Sequence, residues 1–231
     1  MNGCAPKNKE QKRDNESKLK LARIMENYYK ERMQIFPIES TMNGEEQYND
    51  KLYPDFTDSY RKGIKALYQK TLDSLQSINR ESLNDTDKIN YDFTKEYVSL
   101  LSKELDYKFN RIPTDQFWGF HLNMGQFASG EGAQPFKTVA DYKNWLRRID
   151  GLEVWMDSAI VYFRLGIQDG ITLPKPLVEK MIPQFEAMVT ATPEANLYYS
   201  PIKLFPESFN EKDRRDITDA YLIAIREKVI P

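Results

Sequence analysis

The sequence predicts an all-α protein of long antiparallel helices, with one long aromatic and glycine-rich loop and no significant sheet. Three observations carry this. Apolar residues recur at three- and four-residue spacing over most of the 231 positions, which is the period of one helix face. No segment keeps the strict alternation of a half-buried strand. The punctuation is also helical, with capping residues before the periodic runs and Gly or Pro after them.

Taken in order, residues 1–17 form a polar leader expected to be disordered, and residues 18–231 one helical domain. In the first helix Leu19, Leu21, Ile24, Met25, Tyr28, Tyr29, Met33 and Phe36 make an apolar stripe, and Pro37 stops it by removing a donor. Residues 39–54 read as loop. A second helix spans about residues 55–78, with Tyr60, Ile64, Leu67, Tyr68, Leu72, Leu75 and Ile78 on one face. A third starts at the N-cap Asn84, with Asp87 in its first turn. Its expected stripe is Ile89, Phe93, Tyr97, Leu100, Leu101, Leu105 and Phe109.

Residues 111–136 break the pattern with Gly119, Gly125, Gly130 and Gly132 among many aromatics. A stretch of that length is commonly functional or partly helical. Thr138 and Asp141 then cap a helix that Gly151 should stop. Another is expected from Leu152 to Asp169, ended by Gly170. A further helix spans residues 176–189 and carries Pro183 inside it. Residues 190–209 form a Pro-rich connection. The last helix begins at Asn210 and reaches Val229-Ile230-Pro231 with an unspent apolar face, which predicts a chain cut from a longer one.

Composition bounds the function. The chain is 40% apolar and 29% charged, yet 14 Tyr, 12 Phe and 3 Trp supply large, rigid contact area for a globular core. Lys and Arg number 33 against 35 Asp and Glu, a net charge of −2. That balance lacks the basic excess of a nucleic-acid binder. No apolar run approaches the roughly 18 residues of a membrane span.

Chemistry is bounded more tightly by what is scarce. His121 and Cys4 are the only histidine and cysteine. A zinc site draws three or four ligands from His, Cys and carboxylate, and a nucleophile needs a base within hydrogen-bond reach. No His-Glu-x-x-His motif is present. No catalytic or metal residue is therefore assigned, and no cofactor is expected in this chain. Acidic pairs such as Glu45-Glu46 and Asp213 with Asp216 read as solvated helix surface, since acid–base work needs a carboxyl shifted by its environment. The stretch Gly125 to Gly132 lacks the Lys-Ser/Thr ending of a phosphate loop.

The aromatic loop offers candidate cleft-lining residues: Phe117, Trp118, Phe120, His121, Asn123 and Gln126. Clefts combine apolar walls with a few polar groups; the other reading is that the aromatics fill the core. Met1-Asn2-Gly3-Cys4 looks like the end of a bacterial lipoprotein signal, with Cys4 the residue lipidated. The alternative is a chance Cys at a frayed terminus.

Several stretches together resemble the bacterial domain-of-unknown-function 885 family. They are Tyr28-Tyr29-Lys30-Glu31-Arg32 and Phe36-Pro37-Ile38-Glu39-Ser40-Thr41, then Asp87-Lys88-Ile89-Asn90-Tyr91-Asp92. Asp141-Tyr142 with Trp145-Leu146-Arg147-Arg148 follows, then Arg164-Leu165-Gly166-Ile167 with Gly170-Ile171. Pro174 to Val178 and Ala224-Ile225-Arg226-Glu227-Lys228-Val229-Ile230-Pro231 complete the series, which spans about residues 20–231. The resemblance implies a longer, mostly helical, often secreted or lipid-anchored protein that looks like a zinc-dependent peptidase. Its metal ligands would lie in a later helix, beyond the position of Pro231.

On that footing the chain is expected to be the helical amino-terminal, substrate-channel-forming part of such a lipoprotein, inactive alone. Zinc would belong to the full-length protein. The partners implied are the carboxy-terminal catalytic portion and a peptide substrate, with no nucleic acid. Membrane contact would come only through the lipid anchor, in the periplasm or at an extracytoplasmic membrane face. The alternative is a non-catalytic helical binding or scaffold module.

Overall fold

Eight α-helices and no strand make up the described residues of the computed structural model, which are 6–117 and 119–231, with side chains from residue 15 onward. The helices are α1 (Pro6–Ile35), α2 (Pro37–Met42), α3 (Asp58–Gln76), α4 (Asp85–Glu104), α5 (Phe120–Ala128), α6 (Val139–Asp169), α7 (Lys175–Glu186) and α8 (Glu211–Ala224). Short 3-10 turns link several of them, and a π-helical turn, Ile225–Val229, follows α8. The all-α reading holds. The chain packs as two compact units, one of α1, α3 and α4, the other of Phe36–Thr57 with Phe109–Pro231.

In the first unit α1 runs from Pro6, so residues 6–17, expected to lack structure, are helical. Their Lys, Glu, Gln and Arg are good helix formers. Ser17 Oγ lies 2.7 Å from Ser82 Oγ, and Lys20 Nζ donates to Ser77 O at 3.0 Å. Cys4 lies outside the described residues. Leu21, Leu75, Ile78, Leu83 and Tyr91 form a core cluster, with Ile24 and Met25 packed on it. Burying such side chains stabilises by about 1.5–3 kcal/mol each.

Helices α3 and α4 are antiparallel: Arg61, early in α3, donates to Leu105 O (2.7 Å) and Tyr107 O (2.8 Å) just past the end of α4. The cation thereby satisfies carbonyls that a helix end leaves orphaned. Asn84 caps α4 as expected, its side chain accepting from Asp87 N at 2.9 Å.

The face that α4 buries is a correction. Tyr91, Thr94 and Val98 point inward, while Ile89, Phe93, Tyr97 and Leu100 of the expected stripe are exposed. The helix carries two apolar stripes, and periodicity alone does not choose between them. Packing makes the choice: Tyr91 joins Leu21, Leu75, Ile78 and Leu83 in the core cluster of this unit.

In the second unit α6 is the spine. Its start is the expected capping box between Thr138 and Asp141, and it ends on Gly170, whose φ of 72° suits a residue without a side chain. Tyr142, Trp145, Ile149, Leu152 and Trp155 line its buried face. They pack against Met124, Phe127 and Ala128 of α5, against Tyr198, Ile202 and Phe209, and against Ile217, Tyr221 and Ala224 of α8.

Gly151 does not stop the helix; α6 runs unbroken for 31 residues. A Cβ at Gly151 would lie 2.7 Å from Leu52 O and 2.8 Å from Leu52 Cβ. The glycine therefore admits the 36–57 segment against the middle of α6. Beside that contact lies Arg148, fully buried. It donates from Nε to Lys51 O (3.0 Å), from Nη2 to Tyr48 O and Thr41 Oγ1 (both 2.8 Å), and from Nη1 to Gln134 Oε1. Burial pulls its pKa down to about 10, with nearby Asp50 opposing, so the guanidinium stays charged at neutral pH.

Candidate functional site

Within the aromatic stretch, Phe120–Ala128 folds into α5, which sorts its residues onto different surfaces. His121 is buried, and Asn123 and Gln126 lie on the exposed side of the same helix. Phe120 is half-buried and stacks on Trp155, with ring centroids 3.8 Å apart. Phe117 is exposed. Trp118 lies outside the described residues. Among the described ones, His121 faces inward while Phe117, Asn123 and Gln126 are exposed.

His121 is held on both nitrogens. Gln184 Nε2 donates to Gln116 O (3.2 Å), which turns its Oε1 toward His121 Nε2 at 3.1 Å. Nε2 therefore carries the proton, and Nδ1 accepts from Thr114 Oγ1 at 3.3 Å. Thr114 Oγ1 in turn accepts from Phe120 N at 3.0 Å. The imidazole also stacks on Phe185, centroid to centroid 4.1 Å. Burial pushes its pKa below the usual histidine value, with the Gln184 bond opposing. It is a neutral strut that pins α7 to α5 beside a cavity of about 220 Å³ lined also by Leu122, Met188 and Asn196.

The zinc that the resemblance implies does not fit the residues described. No group of three His, Cys, Asp or Glu among them could hold a metal ion, and both His121 nitrogens are engaged. No helix among the described residues is long and apolar enough to cross a membrane.

The space available for a ligand lies instead along α6 and α7. One cavity of about 550 Å³ is bounded by Phe163 and Ile167 of α6, by Ile171 and Leu173 of the connection, and by Val178, Met181, Ile182 and Phe185 of α7. A second, of about 520 Å³, is bounded by Leu152, Trp155, Met156, Ile160 and Phe163 of α6, by Phe185 and Met188, and by Val229 and Ile230. Both include Phe163, Phe185 and Val189, so the two adjoin along α6 and α7 and are taken together as the α6–α7 cleft. Each lies within the size range of ligand sites.

Its walls stand open. Ile160, Ile167, Ile182 and Val189 are each at least half exposed. Sequence reasoning gave this region no site residue, although Val178, Met181, Ile182 and Phe185 form an amphipathic stripe. Charged groups stand on the rim of the second cavity: Glu153, Asp157, Glu227 and Lys228. Lys228 Nζ is 2.6 Å from Asp150 Oδ1, and that hydrogen bond holds its pKa above the usual lysine value.

Residues 37–231 match the sequence model of a family described as "Bacterial protein of unknown function (DUF885)". The chain belongs to this family. The match takes in α2 through the π-helical turn, and thus the whole cleft, the Arg148 cluster and His121. It starts later than the resemblance, so the Tyr28 to Arg32 stretch on α1 lies outside the matched residues. No curated protein and no solved structure matches the chain.

Proposed function

We propose that this member of the DUF885 family forms the helical wall of a peptide-binding channel in a peptidase-like lipoprotein, anchored outside the cytoplasm through Cys4. In this reading the zinc and its ligands come from the catalytic portion that the resemblance implies. The residues described here bind and orient substrate, which lowers the barrier by holding the reacting groups together. One observation carries the reading. The α6–α7 cleft is long and apolar, and it leaves Ile160, Ile167, Ile182 and Val189 open to solvent. Contiguous exposed apolar surface on that scale marks a site of interaction.

The test is binding of fluorescent peptides rich in apolar side chains, compared with the variant carrying Ile160→Gln and Val189→Gln. Both positions are exposed, so the fold is undisturbed. Loss of two aliphatic contacts predicts roughly tenfold weaker binding. Unchanged affinity would refute the channel reading. Chelator-sensitive hydrolysis of a bound peptide by the complete protein would distinguish a peptidase-like role from a pure binding module.

A further inference from the structure

The second cavity differs from its neighbour in the charge around its mouth. Glu153 and Asp157 stand one turn apart on α6, and Glu227 joins them on the rim from the π-helical turn. All three side chains are exposed, and none is in an ion pair among the described residues. Lys228, the remaining charged rim residue, is already held by Asp150 at 2.6 Å. The rim thus carries three carboxylates against one ammonium, and although Lys228 also feels Glu153 and Glu227, acid is in excess beside an apolar lining that includes Trp155, Ile160, Phe163 and Phe185.

Like charges one helical turn apart repel, so a cation placed between Glu153 and Asp157 is favoured over a neutral group. The carboxylates do not converge on a point, because no group of three acidic, His or Cys side chains among the described residues could hold a metal ion. A compact divalent ion would find no cage. An extended ligand, with cations spaced to either side of an apolar group, matches both the floor and the rim.

We infer that the second cavity takes a peptide segment whose large apolar side chain is flanked by Lys or Arg. This rests on the reading of the cleft as a peptide-binding wall and narrows it to a substrate class. The apolar side chain enters the cavity and displaces water from its floor. The flanking cations meet Glu153, Asp157 and Glu227 at the rim, where complementary charge sets selectivity and association rate.

The test uses the full chain and three end-blocked peptides with one apolar centre, flanked by Lys, by Gln or by Glu, titrated by fluorescence anisotropy. The Lys peptide is expected to bind about tenfold tighter than the Gln peptide and the Glu peptide weakest. Raising the salt from roughly 0.05 to 0.5 M should erase the advantage. The variant with Glu153→Gln and Asp157→Asn should bring the Lys peptide down to the Gln peptide's affinity while leaving the Gln peptide unmoved. Glu227→Gln should give the same change in smaller measure from a different element. Equal binding of the Lys and Gln peptides, or a Lys preference that survives these substitutions, overturns the inference but leaves the channel reading standing. Failure of all three peptides to bind overturns both.

Discussion

Replacing Arg148 by Met should destabilise the second unit by about 2–6 kcal/mol. The side chain is fully buried and makes four hydrogen bonds, none of them to a carboxylate. Met fills much of the space but donates nothing. Two acceptors, the carbonyls of Tyr48 and Lys51, belong to residues that are not buried and can turn to water. The other two, Thr41 Oγ1 and Gln134 Oε1, sit on residues about 2% exposed. A buried acceptor left unmet costs about 1–3 kcal/mol, and release of the 36–57 segment from α6 adds to that. Loss of the guanidinium's own desolvation offsets part of the total.

Urea unfolding followed by tryptophan fluorescence is the assay, since Trp145 and Trp155 both lie in this unit's core. With a slope of about 2 kcal/mol per molar, the midpoint should fall by about 2 M. Arg148→Lys keeps the charge but loses the planar fork, so it should fall between Met and the parent. A midpoint shift under about 0.5 M for Arg148→Met would show that the hydrogen bonds do not hold the segment.

Gly151→Ala reverses the ordinary sign. In an exposed helix interior that change stabilises by about 0.5–1 kcal/mol, but here the new methyl meets Leu52 O at 2.7 Å, and a loss of about 1–3 kcal/mol is expected; a stabilised variant by thermal melting would contradict the close contact. His121 makes stability depend on pH. Its folded pKa lies below the ordinary 6.5, so the unfolded chain takes a proton that the folded chain refuses. Stability is therefore full above about pH 6.5 and falls as the pH drops toward the folded pKa, by at most about 1.4 kcal/mol per pH unit. Urea midpoints for the parent and His121→Gln at about pH 7.5 and pH 5 should show a steeper acid loss in the parent; equal slopes would contradict a neutral, buried imidazole.

Where local chemistry sets a boundary, the sequence announces it. Asn84, Thr138 with Asp141, Gly170 and Asn210 all sit where capping rules place them. The stripe on α3 buries Ile64, Leu67, Tyr68 and Leu75 as its spacing predicts. Legibility fails where the deciding partner is distant in sequence. Gly151 reads as a helix stop until Leu52 is seen against it. The face that α4 buries depends on Leu21, Leu75 and Leu83, which pack with Tyr91 and lie outside the helix's own periodicity. Arg148 looks like one more surface cation of a charged helix, because three of its four acceptors, Lys51 O, Tyr48 O and Thr41 Oγ1, lie about a hundred residues away. The cleft was hidden for the same reason: its lining residues look like ordinary core positions, and only the packing shows that nothing among the described residues covers them.

Cross-linking is the most direct check on the cleft. An apolar peptide carrying a photoreactive benzophenone, irradiated with the full chain and mapped by mass spectrometry, should mark Phe163, Phe185 and Val189, the residues shared by the two cavities. Adducts concentrated instead on the exposed Ile89, Phe93 and Leu100 face of α4, or spread without preference, would contradict the assignment of peptide binding to the α6–α7 cleft.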